Sequence, residues 1–173
     1  GDAGLVSTNN QKLYKKLLSL RNLGSIKKHE HNYLGINSRL DTIQAVVLNK
    51  KLSSILKLNN TRRRLASLYD EKLKTVPEIK ITKTKPGSTR HLYIIRAKKR
   101  DSLMKHLLNK NILCQIHYPY TLNKLKPFIK FNKKKKFIKN SEKWSNECLS
   151  LPMHSELKIK EINKVVKEIK NFF

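Results

Sequence analysis

The feature that most constrains the fold is a long helix-forming segment that contains neither proline nor glycine. Apolar residues recur at helical spacing through residues 40–73, and a straight helix of this length would extend roughly 50 Å. Such a helix is longer than a small domain. We therefore predict that it kinks near Asn59 and Asn60 and that it connects two domains, residues 1–57 and residues 58–173.

The start of this segment combines polar side chains with an apolar continuation. In "YLGINSRLDTIQAVVL", residues 33–48, Ser38 and Asp41 have the spacing of a helix-capping pair. The residues that follow are almost all apolar, which predicts a helix that is buried on most sides. A helix start that carries the Asn37 amide, the Ser38 hydroxyl and the Arg39 guanidinium is typical of an anion-binding site.

Short strands and helices are predicted on both sides of the long segment. Before it we expect a strand at residues 3–7 and an amphipathic helix at residues 11–23 that Gly24 ends. After Pro77 we expect an edge strand at 78–82, a central strand at 91–97, a helix capped by Asp101, a strand at 112–118, a helix at 141–147, a turn at "SLPM" and a final amphipathic helix. This order predicts an α/β fold with helices on one face of a small sheet.

The formal net charge of +27 raises the question of a nucleic-acid partner. Lysine greatly outnumbers arginine, and the lysines are spread along the whole chain. Proteins that read bases favour arginine, and phosphate-binding surfaces concentrate their charge on one face. We therefore predict no specific nucleic-acid partner, and we interpret the densest run, Lys133 to Lys136, as a solvated loop.

Other sequence features limit the compartment and the metal chemistry. No apolar run reaches the length of a membrane span and no signal-peptide pattern is present, which favours a cytoplasmic protein without a membrane partner. Cys114 and Cys148 lie in apolar surroundings, so we predict buried free thiols. His29 and His31 have no third ligand nearby, so we predict no metal site.

Six short phrases in order carry a resemblance to a known family. They are "GDAGLVSTN" at residue 1, "LRNLGS" at 20, "GINSRLDTIQAVVL" at 35, "HLYIIR" at 91, and "IHYPY" at 116 followed by "LSLPMHSEL" at 149. Together they resemble the DegT/DnrJ/StrS family of nucleotide-sugar aminotransferases, which bind pyridoxal phosphate. The resemblance implies the C-terminal part of a type I transferase fold, with the end of the large domain, a linking helix and a small α/β domain.

The resemblance also implies roles for individual residues. Asn37 matches an asparagine that reaches across a homodimer to the cofactor phosphate of the other subunit, and Arg39 matches an arginine that points into that site near the substrate. Gly35 would provide a tight turn before them. His117 and Tyr118 match positions near the sugar substrate. Asn123 stands where the family commonly has a histidine, which is a departure at the substrate end of the pocket.

The chemistry implied by the resemblance needs residues that this sequence does not contain. The family's Schiff-base lysine lies a few residues before the position of Gly1, so we expect a chain cut in mid-domain that is inactive alone. The implied reaction transfers an amino group, usually from glutamate, to a nucleotide-linked keto-sugar in polysaccharide or cell-surface sugar synthesis. Three alternatives stay open: a dehydratase of the same family, a basic binding fragment without catalysis, and the remnant of a truncated gene.

Overall fold

The structure of the chain is a computed structural model, and it describes residues 3–131 and 138–173. The lysine run at residues 133–136 lies outside these described residues. The chain divides into two compact units, Gly1–Ile55 and Leu56–Phe173. Each unit has its own secondary structure, and together the elements have the α/β character that the sequence predicts.

The first unit contains two helices and a short antiparallel hairpin. Its elements are α1 (Gln11–Leu20), β1 (Ser25–Lys27), β2 (Glu30–His31) and α2 (Thr42–Leu52). The side chain of Asn10 caps α1 by accepting a 3.1 Å hydrogen bond from the N–H of Leu13. After α1, the N–H of Gly24 donates to the carbonyl of Ser19 over 2.9 Å, so the predicted helix is confirmed but ends at Leu20.

The strand predicted at residues 3–7 is wrong. These residues have no regular secondary structure, and Leu5 and Val6 are 89% and 70% exposed. A strand is stabilised by hydrogen bonds and side-chain pairs with a neighbouring strand. The described strands of the first unit, β1 and β2, pair with each other instead.

The long helix-forming segment is divided at Ser53 and Ser54, between α2 and α3 (Ile55–Leu73), and not near Asn59. The hydroxyl of Ser53 donates to the carbonyl of Lys50 over 2.8 Å, and the hydroxyl of Ser54 donates to the carbonyl of Lys51 over 3.2 Å. Serine side chains that bond to nearby main-chain groups compete with the helical hydrogen bonds. The paired serines therefore explain why the helix is interrupted here.

Asn59 and Asn60, where we predicted the kink, lie inside α3. Nη1 of Arg62 donates to Oδ1 of Asn59 over 3.2 Å, and Nη1 of Arg63 donates to Oδ1 of Asn60 over 2.9 Å. Asparagine weakens helices when its side chain bonds to its own backbone. These two side chains bind arginines one turn later on the helix instead, so the helix continues through them.

The second unit is a small antiparallel sheet with helices packed against it. After α3 its elements are β3 (Ile79–Ile81), β4 (Tyr93–Ala97), α4 (Arg100–Asn109), α5 (Lys126–Ile129), α6 (Lys139–Glu147), β5 (Cys148–Leu151) and α7 (Ile159–Phe172). The sheet order is β3-β4-β5, with Ile79 opposite Ala97 and Tyr93 opposite Leu151. The predicted edge position of β3 and the central position of β4 are confirmed.

The core of the second unit lies where α4 and α7 contact each other and the sheet. Leu103 and Leu107 of α4 are fully buried, and α7 buries a stripe at helical spacing, Ile162, Val165, Val166 and Ile169. Each such side chain contributes about 1.5–3 kcal/mol of hydrophobic stabilisation. α4 begins at Arg100, one residue before the predicted cap Asp101. None of the helices in the described ranges is long and apolar enough to cross a membrane.

Two predictions in the second unit are wrong, a strand at residues 112–118 and a turn at "SLPM". Residues 112–118 form no regular strand, although Gln115 pairs with Ser150 through hydrogen bonds of 3.1 and 2.7 Å. Ser150 and Leu151, which we predicted in a turn, belong to β5, and all four residues of this strand are buried. A strand that is buried on both faces shows no alternation, and "CLSL" is too short to reveal a period.

Candidate functional site

The loop that carries Asn37 and Arg39 depends on a close approach between two glycines. Gly24 has φ of +74°, and a Cβ there would lie 1.7 Å from the carbonyl oxygen of Tyr33. A Cβ on Gly35 would lie 2.2 Å from the N atom of Gly24 and 2.6 Å from the carbonyl oxygen of Leu20. We expected Gly35 to supply unusual backbone angles; it is needed because another stretch of backbone passes too close for a side chain.

Main-chain hydrogen bonds hold the segment around Asn37 against the end of α1. Asn22 and Asn37 form an antiparallel bridge. The N–H of Ile36 donates to the carbonyl of Leu20 over 2.9 Å, and the N–H of Ser38 donates to the carbonyl of Arg21 over 2.8 Å. The backbone of Asn37 is therefore fixed, while its side chain is exposed.

The structure brings Asn37 and Arg39 together. Nε of Arg39 donates a 3.3 Å hydrogen bond to Oδ1 of Asn37. This contact uses the amide oxygen and leaves the Asn37 NH₂ group and the remaining Arg39 N–H groups pointing at no protein acceptor among the described residues. The pair thus offers N–H donors and a positive charge, which is the donor set that an anion requires.

The predicted helix start at Ser38 is wrong. α2 begins at Thr42, its N-cap residue is Asp41, and the Asp41 side chain makes no capping hydrogen bond. Asn37 and Arg39 lie in the segment before the helix, outside its first turn. The groups that this region offers to an anion are therefore side-chain donors, and the positive end of α2 is not among them.

The predicted burial of α2 is also wrong for this chain. α2 has no buried residue, and Ile43, Val46 and Leu52 are 80%, 63% and 66% exposed. The apolar composition that suggests a buried helix is present, but the described residues of the first unit do not cover it. Exposed apolar helices of this kind are typical of interfaces.

In the second unit, His117 is held by groups from β5 and α6. Its Nδ1 lies 2.8 Å from Oγ of Ser150, which is 5% exposed. Its carbonyl accepts a 3.3 Å hydrogen bond from Nε1 of Trp144. The imidazole is only partly buried, so its position is fixed from the protein side while Nε2 is not engaged by a described hydrogen-bond partner.

Tyr118 projects outward beside His117. The two rings meet edge to face with centroids 5.6 Å apart, and Tyr118 is 72% exposed. Nearby in sequence, Oγ1 of buried Thr121 and Oδ1 of Asn123 have no hydrogen-bond partner among the described residues. This part of the chain therefore presents aromatic surface, a hydroxyl and an imidazole, which are the groups that bind sugar hydroxyls in many sites.

Two of the groups that position His117 were not predicted from the sequence. Ser150 belongs to the strand that we predicted as a turn, and Trp144, the single tryptophan of the chain, lies on α6. A buried serine next to apolar residues gives no local signal of its partner, because the contact joins residues far apart in the chain. The tryptophan was the available signal, since its indole N–H needs an acceptor when it is partly buried.

The cysteines and histidines form no reactive or metal-binding cluster in the described part of the chain. Cys114 and Cys148 are buried free thiols, as predicted. Burial raises the pKa of Cys114 to about 12 and also raises that of Cys148, so both thiols stay protonated near neutral pH. No group of three His, Cys, Asp or Glu side chains that could hold a metal occurs among the described residues. Nδ1 of His31 lies at hydrogen-bond distance, 3.0 Å, from the carbonyl oxygen of Leu23.

The chain is similar to known proteins along almost its whole length. The chain is 34% identical over 171 residues to dTDP-3-amino-3,6-dideoxy-alpha-D-galactopyranose transaminase of Aneurinibacillus thermoaerophilus, with 98% of this chain and 46% of that protein covered. It is 32% identical over 172 residues to UDP-N-acetyl-3-dehydro-alpha-D-glucosamine 3-aminotransferase of Acidithiobacillus ferrooxidans, again with 98% and 46% covered. The chain thus spans about half the length of these curated relatives.

Solved structures and a family profile agree with these relatives. The crystal structure of S. venezuelae DesV in complex with a ketimine intermediate superposes with a TM-score of 0.90 at 30% identity, covering 95% of this chain and 45% of that one. The profile of the DegT/DnrJ/EryC1/StrS aminotransferase family matches residues 1–170. The family that the sequence resemblance predicts is therefore confirmed, and the chain belongs to the DegT/DnrJ/EryC1/StrS aminotransferase family.

Proposed function

We propose that this chain is the C-terminal part of a cytoplasmic, pyridoxal-phosphate-dependent aminotransferase. The enzyme would transfer an amino group from glutamate to a nucleotide-linked keto-sugar in polysaccharide or cell-surface sugar synthesis. The observation that carries this proposal is the Asn37–Arg39 pair, which combines free N–H donors with a positive charge on a fixed segment. The transaminase names of the relatives that match along the chain support it.

In this proposal the two units have different roles. Residues 1–57 form the end of the large, cofactor-binding domain and residues 58–173 form the small domain. The division of the chain into Gly1–Ile55 and Leu56–Phe173, with the helix break at Ser53 and Ser54, supports this assignment. A partial fold is also consistent with the 46% of the relative's length that the chain covers.

The donor set near Asn37 fits the phosphate group of pyridoxal phosphate. The Asn37 NH₂ group and the Arg39 guanidinium are hydrogen-bond donors. The one acceptor of the pair, Oδ1 of Asn37, is already bonded to Nε of Arg39. We propose that Asn37 binds the cofactor phosphate of the partner subunit in a homodimer and that Arg39 binds an anionic group of the substrate. The exposed apolar face of α2 supports the homodimer, since such surfaces are typical of protein interfaces.

His117 and Tyr118 are proposed to bind the sugar part of the substrate. Nδ1 of His117 contacts Ser150, so its Nε2 is the atom available to a sugar hydroxyl. The exposed Tyr118 ring adds apolar surface and a hydroxyl. Both residues would orient the substrate, and neither is proposed to transfer a proton.

Pyridoxal phosphate, when bound, supplies the electron sink that amino transfer needs. A lysine that binds this cofactor covalently is usually activated by burial or by a neighbouring cation. No lysine within residues 3–131 and 138–173 is buried. This supports the proposal that the chain does not catalyse amino transfer by itself.

The proposal is tested on the protein that contains this chain together with the upstream part of the family fold. Purified enzyme is incubated with glutamate and a dTDP- or UDP-linked keto-sugar, and the product is identified by mass spectrometry. We expect an amino-sugar nucleotide, strong loss of activity in N37A, and little loss in N32A, an exposed asparagine of the same loop. A product that has lost water indicates a dehydratase instead, and equal activity of N37A and the native enzyme contradicts the role of Asn37.

A further inference from the structure

The hydroxyl of Ser150 has one hydrogen-bond partner among the described residues, and this partner is the imidazole of His117. Oγ of Ser150 lies 2.8 Å from Nδ1 of His117, and Ser150 is 5% exposed. A hydroxyl can both donate and accept, whereas each nitrogen of a neutral imidazole does only one of the two. The direction of this one hydrogen bond therefore decides which nitrogen of His117 carries the hydrogen atom.

The position of Ser150 in β5 leaves its hydroxyl free for this contact. Successive side chains of a strand point to opposite faces. Leu149 and Leu151 belong to the buried apolar core, so the Ser150 side chain lies on the other face of β5. The N–H and the carbonyl of Ser150 are both bonded to the backbone of Gln115, over 2.7 and 3.1 Å. The hydroxyl is therefore the polar group of Ser150 that is left for His117.

No carboxylate of α6 bonds to Nδ1 of His117. Oε1 of Glu142 lies 3.1 Å from Nζ of Lys124, and Oε2 of Glu147 accepts a 2.6 Å hydrogen bond from Nη2 of Arg96. A carboxylate only accepts, so a histidine bonded to one holds its hydrogen on the nitrogen that faces the carboxylate. His117 faces a hydroxyl instead, and a hydroxyl permits the opposite arrangement.

The burial of Ser150 favours one direction of this hydrogen bond. If Nδ1–H of His117 donated to Oγ, the hydroxyl hydrogen of Ser150 would be buried without an acceptor among the described residues. A buried donor without an acceptor costs free energy, and most buried polar groups are bonded. If the hydroxyl donates to Nδ1, its hydrogen is satisfied. In the neutral imidazole the hydrogen then lies on Nε2.

The remaining contacts of His117 fix the direction in which Nε2 points. Nε1 of Trp144 donates a 3.3 Å hydrogen bond to the His117 carbonyl, and the ring of Tyr118 meets the imidazole edge to face. The imidazole is partly buried, and Nε2 has no hydrogen-bond partner among the described residues. His117 is thus held on its Nδ1 side and open on its Nε2 side.

We propose that Ser150 is a positioning residue for substrate binding. Its hydroxyl donates to Nδ1, so that neutral His117 presents an Nε2–H donor to the substrate. The sugar oxygen that His117 contacts is then the acceptor, and Nε2 takes no proton from the substrate. The identity of the ligand, a nucleotide-linked sugar, rests on the proposed function, whereas the direction of the hydrogen bond rests on the contact between His117 and Ser150.

Nuclear magnetic resonance of the 173-residue chain, labelled with ¹⁵N in its histidine rings, tests the direction of the hydrogen bond. Protonated and unprotonated ring nitrogens have well-separated chemical shifts, and at about pH 8 a histidine is ordinarily neutral. The His117 signals are identified by their absence from H117Q. We expect the hydrogen on Nε2 and a chemical shift of Nδ1 that is displaced by the accepted hydrogen bond. A hydrogen on Nδ1 of His117 overturns the proposal.

His31 is the internal control for this measurement. Its Nδ1 lies 3.0 Å from the carbonyl oxygen of Leu23, which can only accept. We therefore expect His31 to carry its hydrogen on Nδ1, which is the opposite tautomer in the same spectrum.

Two variants show whether Ser150 is the donor, and the backbone amide spectrum verifies that they are folded. S150A should abolish the displacement of the Nδ1 shift of His117 and leave the signals of His31 unchanged. S150T keeps a hydroxyl and should keep the displacement. Unchanged His117 signals in S150A overturn the proposal.

The effect on substrate binding is measured separately in the intact enzyme. S150A should raise KM for the keto-sugar nucleotide by about three- to tenfold and change kcat little, because binding lost equally from substrate and transition state raises KM alone. S150T should restore KM, and a native KM in S150A overturns the positioning role. The expected tautomer in an enzyme without amino-transfer activity contradicts the proposed function alone, whereas Nδ1–H in an active enzyme contradicts this inference alone.

Discussion

Nδ1 of His117 lies 2.8 Å from the hydroxyl oxygen of Ser150, a buried residue of the edge strand β5. Ser150 also pairs with Gln115 through its backbone. One residue of β5 thus fixes both the backbone before His117 and the imidazole itself. The position of a proposed substrate-binding side chain is therefore set by a strand distant in sequence.

Replacing Ser150 by alanine should destabilise the second unit. The change removes the hydroxyl and leaves Nδ1 of His117 without its partner, which costs about 1–3 kcal/mol. Urea unfolding measured by circular dichroism tests this. S102A is the control, because Ser102 is exposed on α4 and its replacement should change stability by less than about 0.5 kcal/mol. Equal unfolding midpoints for the two variants would contradict a bonded Ser150.

Replacing Gly35 by alanine should disrupt the loop that carries Asn37. The new Cβ would lie 2.2 Å from the N atom of Gly24, so backbone must move, at a cost of about 1–3 kcal/mol. Limited proteolysis should then cut the loop between α1 and α2 faster. Gly4 is the matched control, because a Cβ there meets nothing within 4 Å. Native resistance to proteolysis in G35A would show that the two glycines are not in close contact.

The 173-residue chain should self-associate through α2. Ile43 and Val46 are 80% and 63% exposed on this helix, and exposed apolar surface of this kind favours association. We expect analytical ultracentrifugation to show dimers or larger species and I43E/V46E to be monomeric. L113E changes a single exposed apolar residue elsewhere and should still associate. A native chain that stays monomeric at high concentration would exclude α2 as an interface in this chain.

Stability should fall in alkaline solution partly because of Cys114. Burial raises its pKa from 9.0 to about 12, so between these values the unfolded thiol ionises while the folded thiol does not. The contribution of this group is therefore complete below pH 9.0 and is lost as the pH rises toward 12. We predict that the urea midpoint falls less steeply over this range in C114A. An unchanged slope would contradict a buried, protonated Cys114.

The sequence predicts elements best where a regular pattern meets a single buried face. β4 alternates buried and partly buried residues and was predicted within two residues, and α7 shows its apolar stripe. β5 is buried on both sides and was missed, because burial on two faces removes the alternation. Residues 112–118 have strand-like composition but form no regular strand, and their pairing with β5 is an isolated bridge between Gln115 and Ser150.

At the candidate site, too, features that depend on contacts between distant residues could not be predicted from the sequence. The neighbourhood of Asn37 and Arg39 was predictable because they are close in sequence, and their polar groups stand out before an apolar helix. The true start of α2 at Thr42, the contact between Gly24 and Gly35 and the Ser150 partner of His117 depend on backbone paths that no local pattern encodes.

Asn37 is proposed to serve the cofactor site of the partner subunit, and mixing of inactive subunits tests this role most directly. One subunit carries N37A, and the other carries a replacement of the enzyme's Schiff-base lysine with Asn37 intact. If Asn37 acts across the dimer, each mixed dimer has one complete site, and random mixing should restore about a quarter of the native activity. If the mixture stays as inactive as its two components, Asn37 acts within its own subunit or not at all, and the account of this site is contradicted.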